Sequence, residues 1–260
     1  MSFTTQGGRA VIRSFVDSSI ITHMAVGIGN TAFSVADTRL ECEVIRVPIV
    51  TITPDYVGGT VIYKATIPAE VAIDAYEIGL FNNATPTMSL LSDFTETTIW
   101  SAGTNVATNA RVGGSTLFLN PALSTTTTAA ASFSTAWPDT DEVVVSYFVG
   151  TNVASAIIRF KTDASNFYSY SLPVTAGYRI TRIPRATFIA TGTPSDISSV
   201  EVTATATAGG AGSVYYDSII VNDLVDREPE LQVRRVLAAN ITKTAGVARD
   251  IEYIATVTAT

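Results

Sequence analysis

A single cysteine, Cys42, excludes any disulfide within the chain. It lies between Glu41 and Glu43, and neighbouring carboxylates raise rather than lower a thiol pKa. Cys42 therefore reads as a small strand residue and not as a nucleophile. A single histidine, His23, has no Cys, His or carboxylate partner close in sequence, so it makes no metal site by itself. With one histidine and no Gly-x-Ser-x-Gly elbow, a Ser-His-Asp mechanism has no members to assign. Basic residues are few and scattered: 16 Lys and Arg against 23 Asp and Glu give a net charge of −7. A phosphate-binding surface needs clustered cations, so no nucleic-acid partner is expected. No apolar run approaches the ~20 residues that span a bilayer, so no membrane insertion is expected either. The first residues, Met1-Ser2-Phe3-Thr4-Thr5-Gln6, lack the basic-then-apolar order of a signal peptide, which sets an expectation of folding in a cytoplasm.

What is present points to strands. Hydrophobic residues make up 47% of the chain and charged ones only 15%, too apolar for disorder. Much of the remainder is Thr, Val, Ala and Ser, and β-branched side chains suit a pleated surface. One short amphipathic helix is expected over residues 4–18, from the spacing of Ala10, Val11, Phe15 and Val16. Strands follow at 20–26, 43–52, 60–67 and 77–81. The pair Gly27 and Gly29 lacks the third glycine and following helix of a dinucleotide loop, so it reads as a tight turn. Residues 36–40 suggest one helical turn.

Beyond residue 82 the character changes. Short strands at 111–120, 142–148, 154–162, 167–172, 178–183, 199–206 and 213–221 alternate with Gly, Pro and Asn, the rhythm of a β-sandwich. The Ser/Thr-rich stretch 121–128 reads as a soft connection. The fold class expected is mainly β, in two domains. Residues 1–94 with 227–260 form a split β-sandwich anchor carrying the N-terminal helix. Residues 95–226 form an inserted jelly-roll sandwich.

Two resemblances bear on function. The order of His23-Met24-Ala25-Val26-Gly27-Ile28-Gly29-Asn30, Asp37-Thr38-Arg39-Leu40-Glu41-Cys42-Glu43 and Tyr76-Glu77-Ile78-Gly79-Leu80-Phe81-Asn82 resembles a family of tailed-bacteriophage tail-fibre and minor tail proteins. In that family the Glu77, Gly79, Leu80, Phe81 motif runs on to a final hairpin, here similar to 233–246 and 251–257. The stretch 213–221, with 154–161, resembles the jelly-rolls of carbohydrate-binding modules. Together they imply a non-enzymatic virion structural protein, assembled in the host cytoplasm. Its partners are expected to be other phage structural proteins, in a homotrimer, and host cell-surface polysaccharide. The alternative is a capsid decoration or head-fibre protein on the major capsid lattice.

A sugar platform needs exposed aromatic rings. Trp137, Phe167, Tyr168 and Tyr170 are the candidates, with Arg159 and Lys161 as polar partners; alternation puts Tyr168 and Tyr170 on one face and Phe167 on the other. No cofactor is expected except a structural calcium, for which Asp217 at the end of its strand is the candidate ligand. Asp139, Asp141 and Glu142 crowd one loop, but adjacency in a loop does not make the facing pair that glycoside hydrolysis requires. Trp100 is expected to pack the two domains together.

Overall fold

The computed structural model describes residues 16, 20–32, 34, 37, 39–82, 88–96, 98–135, 137, 142–222 and 231–256. Apart from Val16, which is helical, the helix expected over 4–18 lies outside these residues, as do Asp139 and Asp141. The chain separates into two compact units, Met1–Pro86 with Arg227–Thr260, and Thr87–Asp226.

The split unit is one antiparallel path of six strands. β1 (His23–Gly27) lies between β2 (Glu43–Asp55) and β4 (Ile73–Phe81), β3 (Thr60–Ile67) follows β2, and the two ends are β16 (Leu231–Lys243) and β17 (Arg249–Thr256). In β3 the alternation is strict: Val61, Tyr63, Ala65 and Ile67 are buried, and the residues between them are half-buried. β2 serves two neighbours. Its first half pairs β1 and its second half pairs β3, with an irregularity between Ile49 and Thr51 where the strand changes partner.

The returning segment is not a hairpin. β16 pairs β4, whereas β17 pairs β3 at the opposite end of the sheet order. The turn between them must therefore cross from one edge to the other. Lys243, only 4% exposed, holds this crossing: its Nζ donates to the carbonyls of Ala69, Val71 and Thr244. The amide of Gly246 donates to the Ala69 carbonyl at 2.8 Å.

The second unit is a sandwich of two antiparallel sheets. One has the order β13-β11-β10-β14-β8: Ile189–Thr191, Phe167–Leu172, Val153–Lys161, Ile197–Ala206 and Thr126–Thr135. The other has the order β12-β9-β15-β7-β6: Gly177–Pro184, Glu142–Val149, Val214–Asn222, Thr116–Leu119 and Thr104–Val106. β5 (Met88–Ser92) pairs with β15 as well. The inward residues of both sheets form one continuous core, including Leu117, Tyr147, Ile158, Phe160, Val202 and Tyr216. Tyr216 spans the core and donates from its hydroxyl to the Thr203 carbonyl at 2.7 Å, while burial pushes its phenol far above the usual range.

Four expectations are corrected here. Thr126–Thr128 belong to β8, because threonine is a strand former and these residues find partners on β14. Residues 88–92 are hydrogen-bonded into the second unit, so the boundary falls before them and not at 95. Trp100 packs within the jelly-roll core, stacked on Phe94 at 4.8 Å. Around residues 36–40, Asp37, Arg39 and Leu40 lie outside any helix. The Asp37 carboxylate instead closes a turn by accepting from the Ser34 amide at 2.9 Å.

Candidate functional site

In the split unit, Glu77 is completely buried and its carboxylate is an internal anchor. Oε1 accepts from the amides of Gly29 at 3.1 Å and Cys42 at 2.8 Å, and Oε2 accepts from the amide of Glu41 at 3.0 Å. The loop from Ile28 to Cys42 is thereby pinned to β4. The glycine there has a packing reason: a Cβ on Gly29 would meet Glu77 Oε1 at 2.5 Å and the Glu41 Cβ at 2.4 Å. Gly27-Ile28-Gly29 thus approaches an anion after all, the chain's own. Gly79 pairs with Ala25, and Leu80 is fully buried. Phe81 carries the Arg46 guanidinium 3.7 Å above its ring, and Arg46 pairs with buried Glu43 at 2.8 Å. His23 shares a hydrogen bond with Thr22 Oγ1 at 2.8 Å, and burial, then Arg46, lowers its pKa. The motif therefore organises the unit's interior.

The structure places the expected sugar platform inside the jelly-roll. Trp137 is 2% exposed, stacked on Tyr168 at 4.9 Å and edge-on to Phe188 at 5.3 Å. Tyr168 and Tyr170 do share a face, as the alternation requires, but it is the inward face of β11, against the core. At 2% exposure Trp137 has no face to offer a sugar, and Tyr168 and Tyr170 turn theirs toward the core. Arg159 and Lys161 face the other way, outward from β10, and both pair with Glu201 on β14, Lys161 at 3.2 Å. These named residues thus lie on opposite sides of one sheet.

Asp217 is also buried, at the extra residue of a bulge where Tyr216 and Ser218 of β15 oppose Tyr147 and Ser146. Oδ1 accepts from the amides of Arg111 at 3.0 Å and Val112 at 3.2 Å. Oδ2 accepts from the hydroxyls of Ser146, at 3.4 Å, and Tyr178. Burial pushes the carboxyl up to about 6, and the hydrogen bonds oppose this only in part. Calcium needs oxygen lone pairs, and here N–H and O–H donors point at both oxygens, so this donor set does not suit it. Among the described residues no group of three or more His, Cys, Asp or Glu side chains is placed to hold a metal ion. Glu142 is spent on an ion pair with Arg182 at 2.7 Å.

Another set of aromatic rings lies on the outer side of the other sheet. Phe118 of β7, Tyr215 of β15, Phe148 of β9 and Tyr178 of β12 are successive register partners, so they form a row across four strands. Their strand neighbours Leu117, Leu119, Tyr216, Tyr147 and Val149 fill the core, so the row faces outward, and all four rings are half-buried. Phe118 and Tyr215 stack at 4.5 Å, and Phe148 meets Tyr215 edge-on at 5.8 Å. At the far end the Arg111 guanidinium lies 3.6 Å above the Tyr178 ring. With a strand spacing of about 4.8 Å, the row is about 14 Å long from end to end. Its sequence signal is the adjacent pairs Tyr147-Phe148 and Tyr215-Tyr216: two aromatics in succession on a strand cannot both face the core.

No protein-family model matches the sequence, and no curated protein matches it either. Solved structures similar to the chain include the family 11 carbohydrate-binding module of a cellulosomal cellulase of Clostridium thermocellum. It is 14% identical with a TM-score of 0.44, over 56% of this chain and 99% of the module. The family 11 module in complex with a β-1,3-1,4-mixed-linked tetrasaccharide gives 12% and 0.43, over 54% and 98%. The enzymatically active domain of tailspike protein 4 of bacteriophage CBA120 gives 13% and 0.32, over 49% of this chain and 20% of that one. At these identities and scores the likenesses assign neither a family nor an activity.

Among the described residues, no helix is long and apolar enough to cross a membrane.

Proposed function

We propose that the chain is a non-enzymatic structural protein of a tailed-bacteriophage particle, a tail-fibre or minor tail component whose jelly-roll unit binds saccharide on the host surface. The observation that carries the binding part is the outward row Phe118–Tyr215–Phe148–Tyr178. Tyr178 also serves the fold, through its hydroxyl on buried Asp217, but an aligned row of rings on the outer side of a sheet marks a contact site. Pyranose rings present apolar C–H faces that pack on aromatic rings, and the spacing of adjacent strands is close to the width of one sugar ring. The phage assignment rests on the ordered motifs at 23–46 and 76–82, which resemble tail-fibre and minor tail proteins. In a homotrimer, several weak contacts made together reach useful avidity.

The test is direct. The full-length protein is titrated with host cell-wall polysaccharide and with mixed-linked glucan oligosaccharides, alongside Phe118→Ala and Tyr215→Ala. Each substitution is expected to weaken binding at least about tenfold, equivalent to about 1.4 kcal/mol. Unchanged affinity in both variants removes the row from the site. Labelled antibody on intact particles then distinguishes tail from capsid, and absence from the particle overturns the virion assignment.

A further inference from the structure

The outward face of the five-stranded sheet carries a second, differently built surface. On β10 the residues Ala156, Ile158 and Phe160 turn inward, which leaves Arg159 and Lys161 pointing out. Arg159 is the register partner of Glu201 on one side and of Ser169 on the other, and Lys161 that of Phe167. The Glu201 side chain is 11% exposed, whereas those of Arg159 and Lys161 are 32% and 23% exposed. The two cations therefore reach further into solvent than the carboxylate between them. Arg159 donates from Nη1 to Glu201 Oε1, and Lys161 from Nζ to Oε2 at 3.2 Å.

One carboxylate does not satisfy two cations. Guanidinium and ammonium bring eight N–H donors between them, and two bonds to Glu201 account for two. Arg159 Nε is buried without a hydrogen-bond partner among the described residues, so the donors open to a ligand are those on its Nη atoms and on Lys161 Nζ. Arg159, Lys161 and Glu201 together carry one net positive charge, and the exposed Asp163 carboxylate also acts on Lys161, so the surplus centres on Arg159. The Arg159 guanidinium also lies 5.5 Å from the Phe167 ring, so an apolar surface adjoins the surplus donors. Surplus N–H donors with net positive charge suit a carboxylate, and the adjacent ring with the Ser169 hydroxyl suits a pyranose.

We propose that this face binds an acidic saccharide, a uronate or another carboxylate-bearing sugar unit. The sugar carboxylate takes the open donors of Arg159 and Lys161, and the sugar ring rests on Phe167. The saccharide class rests on the reading given under Proposed function; the preference for an anion rests on the charges alone, on the face of the sandwich opposite the aromatic row.

The experiment is calorimetric titration of the full-length protein with trigalacturonate, a hyaluronan tetrasaccharide and neutral galactotriose, at low and physiological salt. At least one acidic probe is expected to bind at least about tenfold more tightly than the neutral one, with affinity falling as salt rises. Arg159→Gln and Lys161→Gln are each expected to remove that preference, while Phe118→Ala leaves it intact. Near-UV circular dichroism confirms that the variants are folded, and Lys161→Gln alone decides if Arg159→Gln is not. Equal affinity for acidic and neutral probes, no binding of either acidic probe, or a preference that survives both substitutions overturns the proposal. Saccharide binding left unchanged by Phe118→Ala and Tyr215→Ala, with the acid preference retained, counts against the aromatic row only.

Discussion

Replacing Asp217 by Asn tests the electrostatics of the jelly-roll interior. The carboxyl is buried in a bulge and raised from 3.8 to about 6 by desolvation, so the folded state favours its protonated form. The sign follows from linkage. An acid whose pKa is raised on folding contributes its full stability below 3.8 and loses it as pH rises through about 6. At about 1.4 kcal/mol per pH unit across that interval, the loss is about 3 kcal/mol. Asparagine fits the same contacts. Its Oδ1 keeps the amides of Arg111 and Val112, and its Nδ2 faces the hydroxyls of Ser146 and Tyr178, which can turn to accept. The variant therefore keeps the geometry and removes the titration. Both tryptophans of the chain, Trp100 and Trp137, lie in this unit's core, so their fluorescence reports its unfolding alone. Guanidinium unfolding at pH 4, 5, 6 and 7.5 is expected to show Asp217→Asn gaining about 2.4 kcal/mol on the native protein between the lowest and highest pH, since part of the change has already occurred at pH 4. A stability difference that does not change with pH refutes the reasoning.

Further outcomes follow from other buried groups. Trp137→Ala is expected to cost the jelly-roll about 3–5 kcal/mol, and Tyr215→Ala, on the outer face, about 1 kcal/mol, both read by denaturant midpoint. Glu77→Ala strands the amides of Gly29, Glu41 and Cys42 at about 1–3 kcal/mol each. Hydrogen exchange at those amides should accelerate strongly, and less so in Glu77→Gln, which keeps one acceptor oxygen. Lys243→Met removes the donor to three carbonyls, and the turn between β16 and β17 should become sensitive to limited proteolysis while Trp fluorescence is unchanged.

Much of the fold was legible because period two is a local signal. The buried alternation of β3 and β10 can be read directly from Val61-Ile62-Tyr63-Lys64-Ala65 and Ala156-Ile157-Ile158-Arg159-Phe160. β8 was hidden because the run Ser124–Thr128 follows Pro121 with no apolar alternation, and the β14 partners of Thr126–Thr128 lie 75 to 79 positions away. The face assignment of Tyr168 and Tyr170 was half legible. Alternation puts them together, but which face is the core depends on Trp137 and Phe188, which reach the same place from other parts of the chain. The aromatic row is a product of register between β7, β15, β9 and β12, and register across distant strands is absent from any local pattern. Of the rings grouped with Arg159 and Lys161 in the sequence, only Phe167 shares their outward face; Tyr168 and Tyr170 point the other way.

The strand pairings on either side of the insertion bear on the order of folding. Phe81 is the register partner of Leu231, and Met88 is the register partner of Asn222. If the split unit closed first, β4 and β16 would have to meet across the whole stretch 82–230 as an open loop. Once β5 and β15 have paired, only the short stretches 82–87 and 223–230 remain to be closed. By loop-closure entropy this shortening is worth about 2 kcal/mol. The middle of the chain is thus expected to act as an intramolecular clamp. It should fold as an autonomous nucleus that hands the two halves of its host to each other, so destabilising β15 should slow assembly of a sheet to which it contributes no strand.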